Sequence, residues 1–350
     1  MDTNKKFSID NTIIGTGRCF IIAEIAQAHD GSLGTAHAYI DAVAKSGADA
    51  IKFQTHIAAE ESTPDEPFRI HFSTQDATRY DYWKRMEFTQ PQWLELSNHC
   101  KESGITFLSS PFSEAAVDLL EVIDMPAWKI ASGEISNMPM LSKIIKTNKP
   151  VLLSTGMSDI QEIEHTVLFL QEQHVPTLVF QTTTAYPCPP EKIGINNIPL
   201  YRDMFDIPVG LSDHSGTIYS PLAASALGID MLEIHVTFSN QMFGPDVPAS
   251  ITVDELAEVV TGIRYIEKMT HNPVDKNAMA AELKPLRGLF AKSIVAKYNL
   301  PKGHTITRDD IGFKKPGNGL EPSELHRLLG QTTNKSIPCD KPILPSDILS

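Results

Sequence analysis

Polar and charged side chains end nearly every short apolar run of this sequence. A charged group within such a run is costly to bury unless it is paired or bound to a ligand, and a single one is most often a paired structural residue. A whole ring of such groups therefore indicates a polar ligand. The residues that end the runs are Glu24, Lys52, Gln54, Ser109, Ser110, Lys129, Ser132, Glu134, Ser154, Thr155, Thr182, Thr184, Tyr186, Ser212, Asp213, His214, Glu233 and His235.

Two lysines in this set suit an anion. Lys52 and Lys129 supply point charges and neighbouring hydroxyl groups supply directional donors, a combination that favours phosphate. The alternative is that the two lysines only neutralise Glu24 and Glu134. The hydroxyl groups are those of Ser110, Ser132, Ser154, Thr184 and Ser212.

Two histidines in the set suit a divalent metal ion. His214 and His235 end the seventh and eighth runs, which are neighbours in a closed barrel. Two imidazoles with oxygen ligands predict a site for Mn²⁺ or Mg²⁺ with open positions, where a substrate oxygen is polarised. The alternative is a pair of unrelated structural histidines.

The runs alternate with segments of helical periodicity. This alternation indicates parallel βαβ units, and eight strands within about 240 residues fit a closed (β/α)8 TIM barrel better than an open sheet. The active site of such a barrel lies at the carboxyl ends of its strands, where the polar residues stand. Residues 252–269 are expected to form the eighth helix and residues 7–18 a hairpin that closes the bottom. The eight runs are 20–26, 50–56, 105–110, 127–131, 150–155, 177–183, 208–213 and 229–236.

A second domain is expected from residue 285, where short strand-like runs and Pro/Gly turns replace long helices. Residues 300–311 are echoed by residues 337–348 at a spacing of 37. Two copies predict a small β-rich domain with pseudo-twofold symmetry, since two are too few for a solenoid. The expected organisation is a barrel domain over 1–284 and a small β domain over 285–350, which buries little core alone and packs against the barrel or a partner subunit.

Composition argues against several other classes. The formal net charge of −13 leaves no basic field to hold a nucleic-acid backbone. The polar start, the absence of any apolar stretch near the roughly 20 residues that span a bilayer, and four scattered cysteines predict a cytoplasmic protein without membrane association. The sequence contains no phosphate-binding loop, zinc-protease or serine-hydrolase motif.

Several ordered motifs resemble those of the sialic acid synthases, and the resemblance covers nearly the whole chain. The segment 315–319 also resembles the antifreeze-like (SAF) domain that these enzymes carry. So many motifs in one order are far more specific than any single one. The motifs are Ala23-Glu24-Ile25, His29-Asp30-Gly31, Ile51-Lys52-Phe53-Gln54-Thr55, Lys129-Ile130-Ala131-Ser132-Gly133-Glu134, Ser154-Thr155-Gly156-Met157, Tyr186-Pro187, Gly210-Leu211-Ser212-Asp213-His214 and Gly244-Pro245-Asp246.

The resemblance implies condensation of phosphoenolpyruvate with the open-chain aldehyde of an N-acylated mannosamine-type sugar, which gives a nonulosonic acid and phosphate. It implies that His214 and His235 bind Mn²⁺ or Mg²⁺, and that Glu24 is the acid/base that handles the attacking water. The same resemblance places Lys52, Ser110, Lys129, Ser132, Ser154, Thr184 and Ser212 around phosphoenolpyruvate, and Gln54, Glu134, Tyr186 and Asp246 around the sugar.

In the family that the sequence resembles, the small domain is swapped between the subunits of a homodimer and offers an arginine to the sugar. This sequence has Lys315 at that position, Thr184 where an asparagine is common and Ile234 where a basic residue is usual. Lysine cannot reproduce the planar fork of arginine. Three acceptors therefore stay open: N-acetylmannosamine, its 6-phosphate, or a diacetamido-trideoxy sugar leading to legionaminic-type or pseudaminic-type acids.

Two other functions also stay open. A Schiff-base aldolase would use Lys129 or Lys52 of the same barrel. A non-catalytic protein would keep an inert barrel and bind glycan through the small domain. The polar ring argues against the latter, because burying such a ring without a ligand is costly.

Overall fold

The computed structural model describes residues 5–349, so residues 1–4 and 350 of the two expected domains lie outside the described chain. The described residues divide into two compact units between His271 and Asn272. The boundary expected at 284/285 lies further along the chain, at the start of the short helix Lys284–Phe290 of the second unit. Within residues 5–349, no helix combines the length and the apolar character that a bilayer span requires.

The first unit begins with an antiparallel hairpin of two strands, β1 (Phe7–Ile9) and β2 (Thr12–Ile14), in which Phe7 faces Ile14. Phe7, Ile9 and Ile14 are buried in one apolar cluster with Phe20 and Phe180, which lie on strands of the barrel. The hairpin therefore fills the end of the barrel at which the strands begin.

Eight parallel strands within residues 5–349 form a (β/α)8 barrel, which confirms the fold expected from the sequence. These strands are β3 (Phe20–Ala26), β4 (Ala50–Thr55), β5 (Thr106–Pro111), β6 (Trp128–Ile130), β7 (Val151–Ser154), β8 (Thr177–Thr182), β9 (Val209–Asp213) and β10 (Met231–Thr237). Ladder hydrogen bonds link them in the order β5-β4-β3-β10-β9-β8-β7-β6, and β5 and β6 lie side by side at the seam. A short parallel strand, β11 (Ile251–Thr252), is added to β10.

Helices with clear start and stop signals surround the strands. Ser32 accepts a hydrogen bond from the N–H of Thr35 at the start of the first helix, and Gly47 ends it with φ +84°, a conformation that favours glycine. Thr252 and Glu255 form a capping box at the start of the last helix of this unit. The helices are α1 (Leu33–Ser46), α2 (Ala58–Glu61), α3 (Arg79–Met86), α4 (Gln90–Glu102), α5 (Glu114–Ile123), α6 (Met138–Ile144), α7 (Ile160–Glu172), α8 (Asn197–Phe205), α9 (Tyr219–Ala226) and α10 (Val253–Thr270).

Side chains alternate along each strand between the helices and the barrel interior, as the twofold period of a strand requires. On β3, Ile21 and Ala23 pack in the core that the helices share, whereas Phe20 and Ile22 belong to the interior cluster. The next residue on the interior face is Glu24. The alternation therefore places the Glu24 carboxylate inside the barrel, near the carboxyl end of β3.

The second unit begins with two short helices and continues as a small β-rich body. Its elements are α11 (Lys276–Glu282), α12 (Lys284–Phe290), β12 (Ser293–Ala296), β13 (Ile311–Lys314) and α13 (Leu325–Leu328), with β12 antiparallel to β13. Leu300 and Ile337, which are equivalent in the internal echo, exchange backbone hydrogen bonds of 2.9 and 2.8 Å. One-turn helices at Arg308–Asp310 and Pro345–Asp347 are also equivalent. The two copies of the echo thus pair with each other.

Candidate active site

The carboxyl ends of the barrel strands open into a cavity of about 420 Å³. All the residues expected to form the site, except Lys315, line this cavity. They are Glu24, Lys52, Gln54, Ser110, Lys129, Ser132, Glu134, Ser154, Thr184, Tyr186, Ser212, His214, His235 and Asp246. Lys315 belongs to the second unit, where its ammonium group lies 5.1 Å from the ring centre of Phe290.

Two buried lysines and two buried glutamates form what we call the base of the cavity. Lys52 Nζ lies 2.5 Å from Glu24 Oε2 and 3.7 Å from Glu233 Oε2. Lys129 Nζ lies 3.3 Å from Glu233 Oε1. All four side chains are at most 5% exposed, so water screens these charges little. The base is therefore a compact, charge-balanced cluster.

Hydroxyl groups flank both ammonium groups. Lys52 donates to Ser110 Oγ at 3.1 Å, and Lys129 donates to Ser154 Oγ at 2.6 Å. The register places Lys52 level with Leu108 and Lys129 level with Leu152, so each serine lies two residues further along the neighbouring strand. The long lysine side chains reach these hydroxyl groups from below. The pairing of ammonium and hydroxyl groups suits an anionic ligand.

Glu233, rather than Glu134, is the carboxylate that the two lysines share. The sequence offered Glu24 and Glu134 as their neutralising partners, and only Lys52 with Glu24 forms such a pair. Glu134 instead accepts a hydrogen bond from Asn137 Nδ2 at 2.7 Å. The reason is position, since Glu233 stands on β10 and Glu134 lies in a one-turn helix beyond β6.

Burial and charge pairing set the protonation states at the base. Burial acts to raise the pKa of Glu233, but Lys129 and Lys52 outweigh it and lower this pKa to about 2. Burial raises the pKa of Glu24 to about 7, against the lowering effect of Lys52. Burial lowers the pKa of Lys129, whereas at Lys52 burial is outweighed by Glu233 and Glu24 and the pKa is raised. One carboxylate thus stays charged and the other exchanges its proton near neutral pH.

Glu24 is also held by a chain of hydrogen bonds that leads away from the lysines. Gln54 Nε2 donates to Glu24 Oε1 at 2.9 Å, and Gln27 Nε2 donates to Gln54 Oε1 and, at 2.7 Å, to His56 Nε2. His56 Nδ1 lies 2.6 Å from Glu61 Oε1. Because an ionised carboxylate only accepts, the His56 proton is on Nδ1 and its Nε2 is the acceptor that Gln27 needs. The chain orients the NH₂ group of Gln54 towards Glu24.

His214 and His235 lie side by side with their ring centres 5.2 Å apart. His214 Nδ1 donates to the carbonyl of Thr183 at 2.8 Å, which leaves Nε2 as an acceptor 3.3 Å from the Tyr186 hydroxyl. Burial lowers the pKa of both histidines to about 3, so both rings are neutral at neutral pH and able to bind a metal ion.

The donor set at the two histidines fits a divalent ion that keeps open positions. Within residues 5–349 no group of three or more His, Cys, Asp or Glu side chains is arranged to enclose a metal ion. Two neutral imidazoles in a polar cavity leave the remaining ligand positions to substrate oxygens or water, an arrangement typical of catalytic rather than structural metal sites.

Gly156 leaves the space that the hydroxyl groups of Ser132 and Thr184 occupy at the cavity. Its N–H donates to Ser132 Oγ at 2.9 Å. A Cβ at this position would lie 2.7 Å from Ser132 Oγ and would overlap Thr184 Oγ1. Any larger residue would displace these hydroxyl groups. Ser212 lies at the base instead, where its Oγ donates to Glu233 at 3.1 Å.

Arg69 joins the residues expected to hold a sugar, although the sequence analysis did not single it out. Its Nη2 lies 2.9 Å from Asp246 Oδ1, and its guanidinium group lies 4.2 Å from the ring centre of Tyr186. The Tyr186 ring stacks on His214 with a centre-to-centre distance of 4.2 Å. Arg69 thus connects the cavity mouth to the imidazole pair.

Arg69 belongs to a part of the cavity that carried no sequence signal. The cavity-lining residues of the segment 56–83, together with Phe112, form what we call the outer wall. Much of this segment is irregular chain between α2 and α3, where no hydrophobic period exists to be recognised. Glu233, by contrast, was among the polar residues expected at the ends of the apolar runs, and it shares a face of β10 with His235. The sequence analysis missed only its pairing with the two lysines.

A parallel barrel with a polar cavity at the carboxyl ends of its strands, a proton-exchanging glutamate and paired lysines defines the class of barrel enzymes. The NeuB family model matches residues 39–275, and the SAF domain model matches residues 291–349. The chain therefore belongs to the NeuB family, which confirms the relationship indicated by its motifs.

Two curated relatives and one solved structure are similar over most of the chain. The N,N'-diacetyllegionaminic acid synthase of Campylobacter jejuni is 35% identical over 91% of this chain and 97% of its own. The N-acetylneuraminate-9-phosphate synthase of Mus musculus is 32% identical over 96% of this chain and 94% of its own. The N-acetylneuraminic acid (sialic acid) synthetase of Leptospira borgpetersenii has a TM-score of 0.72 at 28% identity, over 81% of this chain and 96% of that chain.

Proposed function

We propose that this chain condenses phosphoenolpyruvate with the open-chain aldehyde of an N-acylated mannosamine-type sugar, giving a nonulosonic acid and phosphate. The observation that carries the proposal is the presence, in one cavity, of the Lys52–Lys129 anion site and the His214–His235 pair. Family membership supports it, because the relatives named above are synthases of diacetyllegionaminic acid and of N-acetylneuraminate 9-phosphate.

Phosphoenolpyruvate carries a phosphate and a carboxylate, and the base offers matching cations and donors. Glu233 stays charged and positions both ammonium groups, while Glu24 exchanges its proton near neutral pH. Fixed donors of this kind need no rearrangement as charge develops during the reaction. The residues that would surround phosphoenolpyruvate are Lys52, Ser110, Lys129, Ser132, Ser154, Thr184 and Ser212.

His214 and His235 would hold Mn²⁺ or Mg²⁺. When bound, such an ion polarises the aldehyde oxygen of the sugar. The protein's part is to keep both rings neutral by burial and to fix the tautomer of His214 through Thr183. The His214 Nε2 that would hold the ion lies 3.3 Å from the hydroxyl of Tyr186.

Glu24 is the acid/base in this proposal. Its pKa of about 7 lets it take a proton from, or return one to, a bound water at neutral pH. That water attacks the oxocarbenium carbon of the intermediate. Gln54 and Lys52 hold the Glu24 carboxylate from two sides, so its orientation is fixed before the substrates arrive.

Gln54, Glu134, Tyr186 and Asp246 would hold the sugar, since all four line the same cavity. In the same proposal the protein is a homodimer in which the SAF domain of one subunit caps the barrel of the other and offers Lys315 to the sugar. Lysine would supply a point charge there instead of a planar fork.

The experiment that tests the function measures phosphate release from phosphoenolpyruvate by the full chain. We expect release only when both a divalent metal ion and an N-acylated aldose are present. Release with phosphoenolpyruvate alone, or no release with any of the three acceptor types, would contradict the proposal. Mass spectrometry of the product checks that the three carbons of the enolpyruvyl group have joined the sugar.

One observation favours a second candidate, a Schiff-base aldolase. Burial lowers the pKa of Lys129, and a lysine with a lowered pKa is a better nucleophile towards a carbonyl group. Its contacts with Glu233 and Ser154 favour an ammonium group instead. Borohydride reduction with substrate separates the two, because only the aldolase would yield a protein of increased mass.

A further inference from the structure

One motif of the sequence, His29-Asp30-Gly31, has no part in the function proposed above. It follows β3, and its three residues are not among the described residues that line the cavity. Asp30 and Gly31 both have left-handed backbone conformations, with φ of +50° and +75°. A Cβ on Gly31 would overlap the carbonyl oxygen of Arg85, so a side chain here would push α3 away. The backbone of the motif is therefore a contact site for the end of α3.

The Arg85 side chain joins two carboxylates that come from different segments. Its Nη1 donates to Asp30 Oδ1 at 2.6 Å and to the Asp30 carbonyl at 3.0 Å. On its other side, Nε and Nη2 donate to the two carboxylate oxygens of Asp76 at 2.9 and 2.7 Å. A planar guanidinium group provides this two-pronged contact and an ammonium group does not. We call these three residues, Asp30, Asp76 and Arg85, the clamp.

The Asp76 half of the clamp is shielded from water. The Asp76 side chain is 5% exposed, and that of Arg85 is 26% exposed. Asp76 also accepts a hydrogen bond from Ser73 Oγ at 2.7 Å. The hydrogen bonds from Arg85 lower the pKa of Asp76, so this carboxylate stays charged at neutral pH. The ion pair is therefore present whenever the chain is folded near neutral pH.

Asp76 belongs to the irregular chain between α2 and α3, which carries part of the outer wall. Phe72, four residues before Asp76, lines the cavity and meets Tyr82 edge to face at 4.9 Å. Arg69, in the same stretch, also lines the cavity and pairs with Asp246 at 2.9 Å. The clamp thus fixes one end of the chain that places Phe72 and Arg69 at the cavity.

We infer, on the basis of the proposed function, that Arg85 is a positioning residue for the sugar. Arg85 is not among the described residues that line the cavity, so it acts through others, by tying Asp76 to Asp30. The tie keeps Phe72 and Arg69 beside the space in which the sugar lies. Phosphoenolpyruvate lies at the base, whose groups are held by the strand register instead. Its binding therefore does not depend on Arg85.

The test measures steady-state kinetics of the full chain with Mn²⁺ and whichever of the three acceptor types gives phosphate release. In Arg85→Lys we expect the KM for the sugar to rise at least about tenfold, and the KM for phosphoenolpyruvate to stay within about twofold. Loss of folded protein would instead lower kcat and leave both KM values unchanged. An unchanged KM for the sugar, or an equal rise of both KM values, overturns the inference and leaves the proposed function standing.

The native chain separates this failure from that of the proposed function. If the native chain releases phosphate with none of the acceptors, the proposed function is removed, and the sugar-positioning role of Arg85 falls with it. If the native chain turns over normally, only the comparison of the two KM values decides the role of Arg85.

Arg264→Lys is the matched control. Arg264 is 28% exposed, and its guanidinium group likewise joins two carboxylates, Asp49 at 2.9 Å and Glu267 at 2.8 Å. Asp49 lies just before β4, at the opposite end of the barrel from the cavity. Because this variant breaks a similar network, we expect a comparable loss of thermal stability with both KM values unchanged. A rise of the sugar KM as large as in Arg85→Lys would show a global effect and overturn the inference.

A double-mutant cycle locates the effect in the clamp. Asp76→Asn should raise the KM for the sugar by itself. Asp76→Asn combined with Arg85→Lys should raise it little more than the larger single effect, because both changes break the same contact. Fully additive effects would contradict the assigned contact.

Limited proteolysis gives a readout that does not depend on turnover. Trypsin should cleave after Arg69 at least about tenfold faster in Arg85→Lys than in the native chain or in Arg264→Lys, because the irregular segment loses its anchor. Equal cleavage rates in the three proteins would show that Arg85 does not hold this segment.

Discussion

The base and the outer wall of the cavity are built from different kinds of backbone. The base stands on barrel strands, where the register with two neighbours sets the height of each side chain. Glu24 is level with Lys52 on β4 and with His235 on β10. The outer wall stands on the segment 56–83, which contains α2, α3 and irregular chain outside the barrel ladder.

This difference separates two tasks. A ladder of backbone hydrogen bonds holds charged groups at fixed separations, which a reaction with developing charge requires. A segment outside the ladder can accept amino-acid substitutions without moving the base, so it is the part of the site that can determine which acceptor sugar binds. Changes at the base should therefore stop the reaction, and changes at the outer wall should alter which sugar is used.

The largest effect is expected at the imidazole pair. His214→Ala combined with His235→Ala removes both nitrogen ligands, and phosphate release should fall at least about a thousandfold, as expected for losing a principal electrostatic group. The matched control is His37→Ala with His99→Ala, since these two histidines contact each other at 2.8 Å on α1 and α4. Undiminished turnover of the first variant, or of the native chain in EDTA, would refute the metal site.

Glu24→Gln tests the proposed acid/base at the base of the cavity. Turnover should fall at least about a hundredfold, because an amide cannot accept the proton of the attacking water. The dependence of the rate on pH provides a second readout. A Glu24 carboxylate with a pKa of about 7 is protonated below that pH and cannot accept a proton, so the rate of the native protein should rise as the pH increases through about 7. The variant should lack this inflection, and Glu114→Gln, at an exposed position at the start of α5, should keep it. A full rate in Glu24→Gln would remove this residue from the mechanism.

Gln27→Leu tests the link between base and outer wall. Without the Gln27 donor, the Gln54 amide can turn away from Glu24, whose charged form then loses a hydrogen bond. The pKa of Glu24 should rise, moving the inflection of the rate to higher pH, and turnover at pH 7 should fall about tenfold, the effect of one lost hydrogen bond. Gln171→Leu, which loses a single bond to the Phe205 carbonyl, is the control. An unmoved inflection would show that Gln27 does not act through Gln54.

Trp83→Leu should have the smallest effect and the most selective one. Loss of the indole ring, which stacks on His56 and lies against Arg79, should loosen the outer wall and raise the KM for the sugar about threefold to tenfold. The KM for phosphoenolpyruvate should stay unchanged, because the base does not contact this residue. Equal changes in both constants would abolish the distinction between base and outer wall.

Much of the site could be predicted because barrel strands have a simple rule. An apolar run that ends in a polar residue places that residue at the carboxyl rim, so Lys52, Lys129, His214 and His235 were found without a structure. The rule does not say which charges pair. Glu134 follows its run as closely as the others, yet it lies on a one-turn helix and leaves the lysines to Glu233.

The sequence by itself determined the barrel, the echo in the small domain and the ring of polar residues, because each depends on local periodicity. Only the tertiary structure decided the partners of the lysines, the tautomer of His56 and the arrival of Arg69 beside Tyr186 and Asp246. These contacts join residues far apart in the chain and from segments without a repeating pattern. Their geometry comes from packing the whole barrel, which no single run of residues encodes.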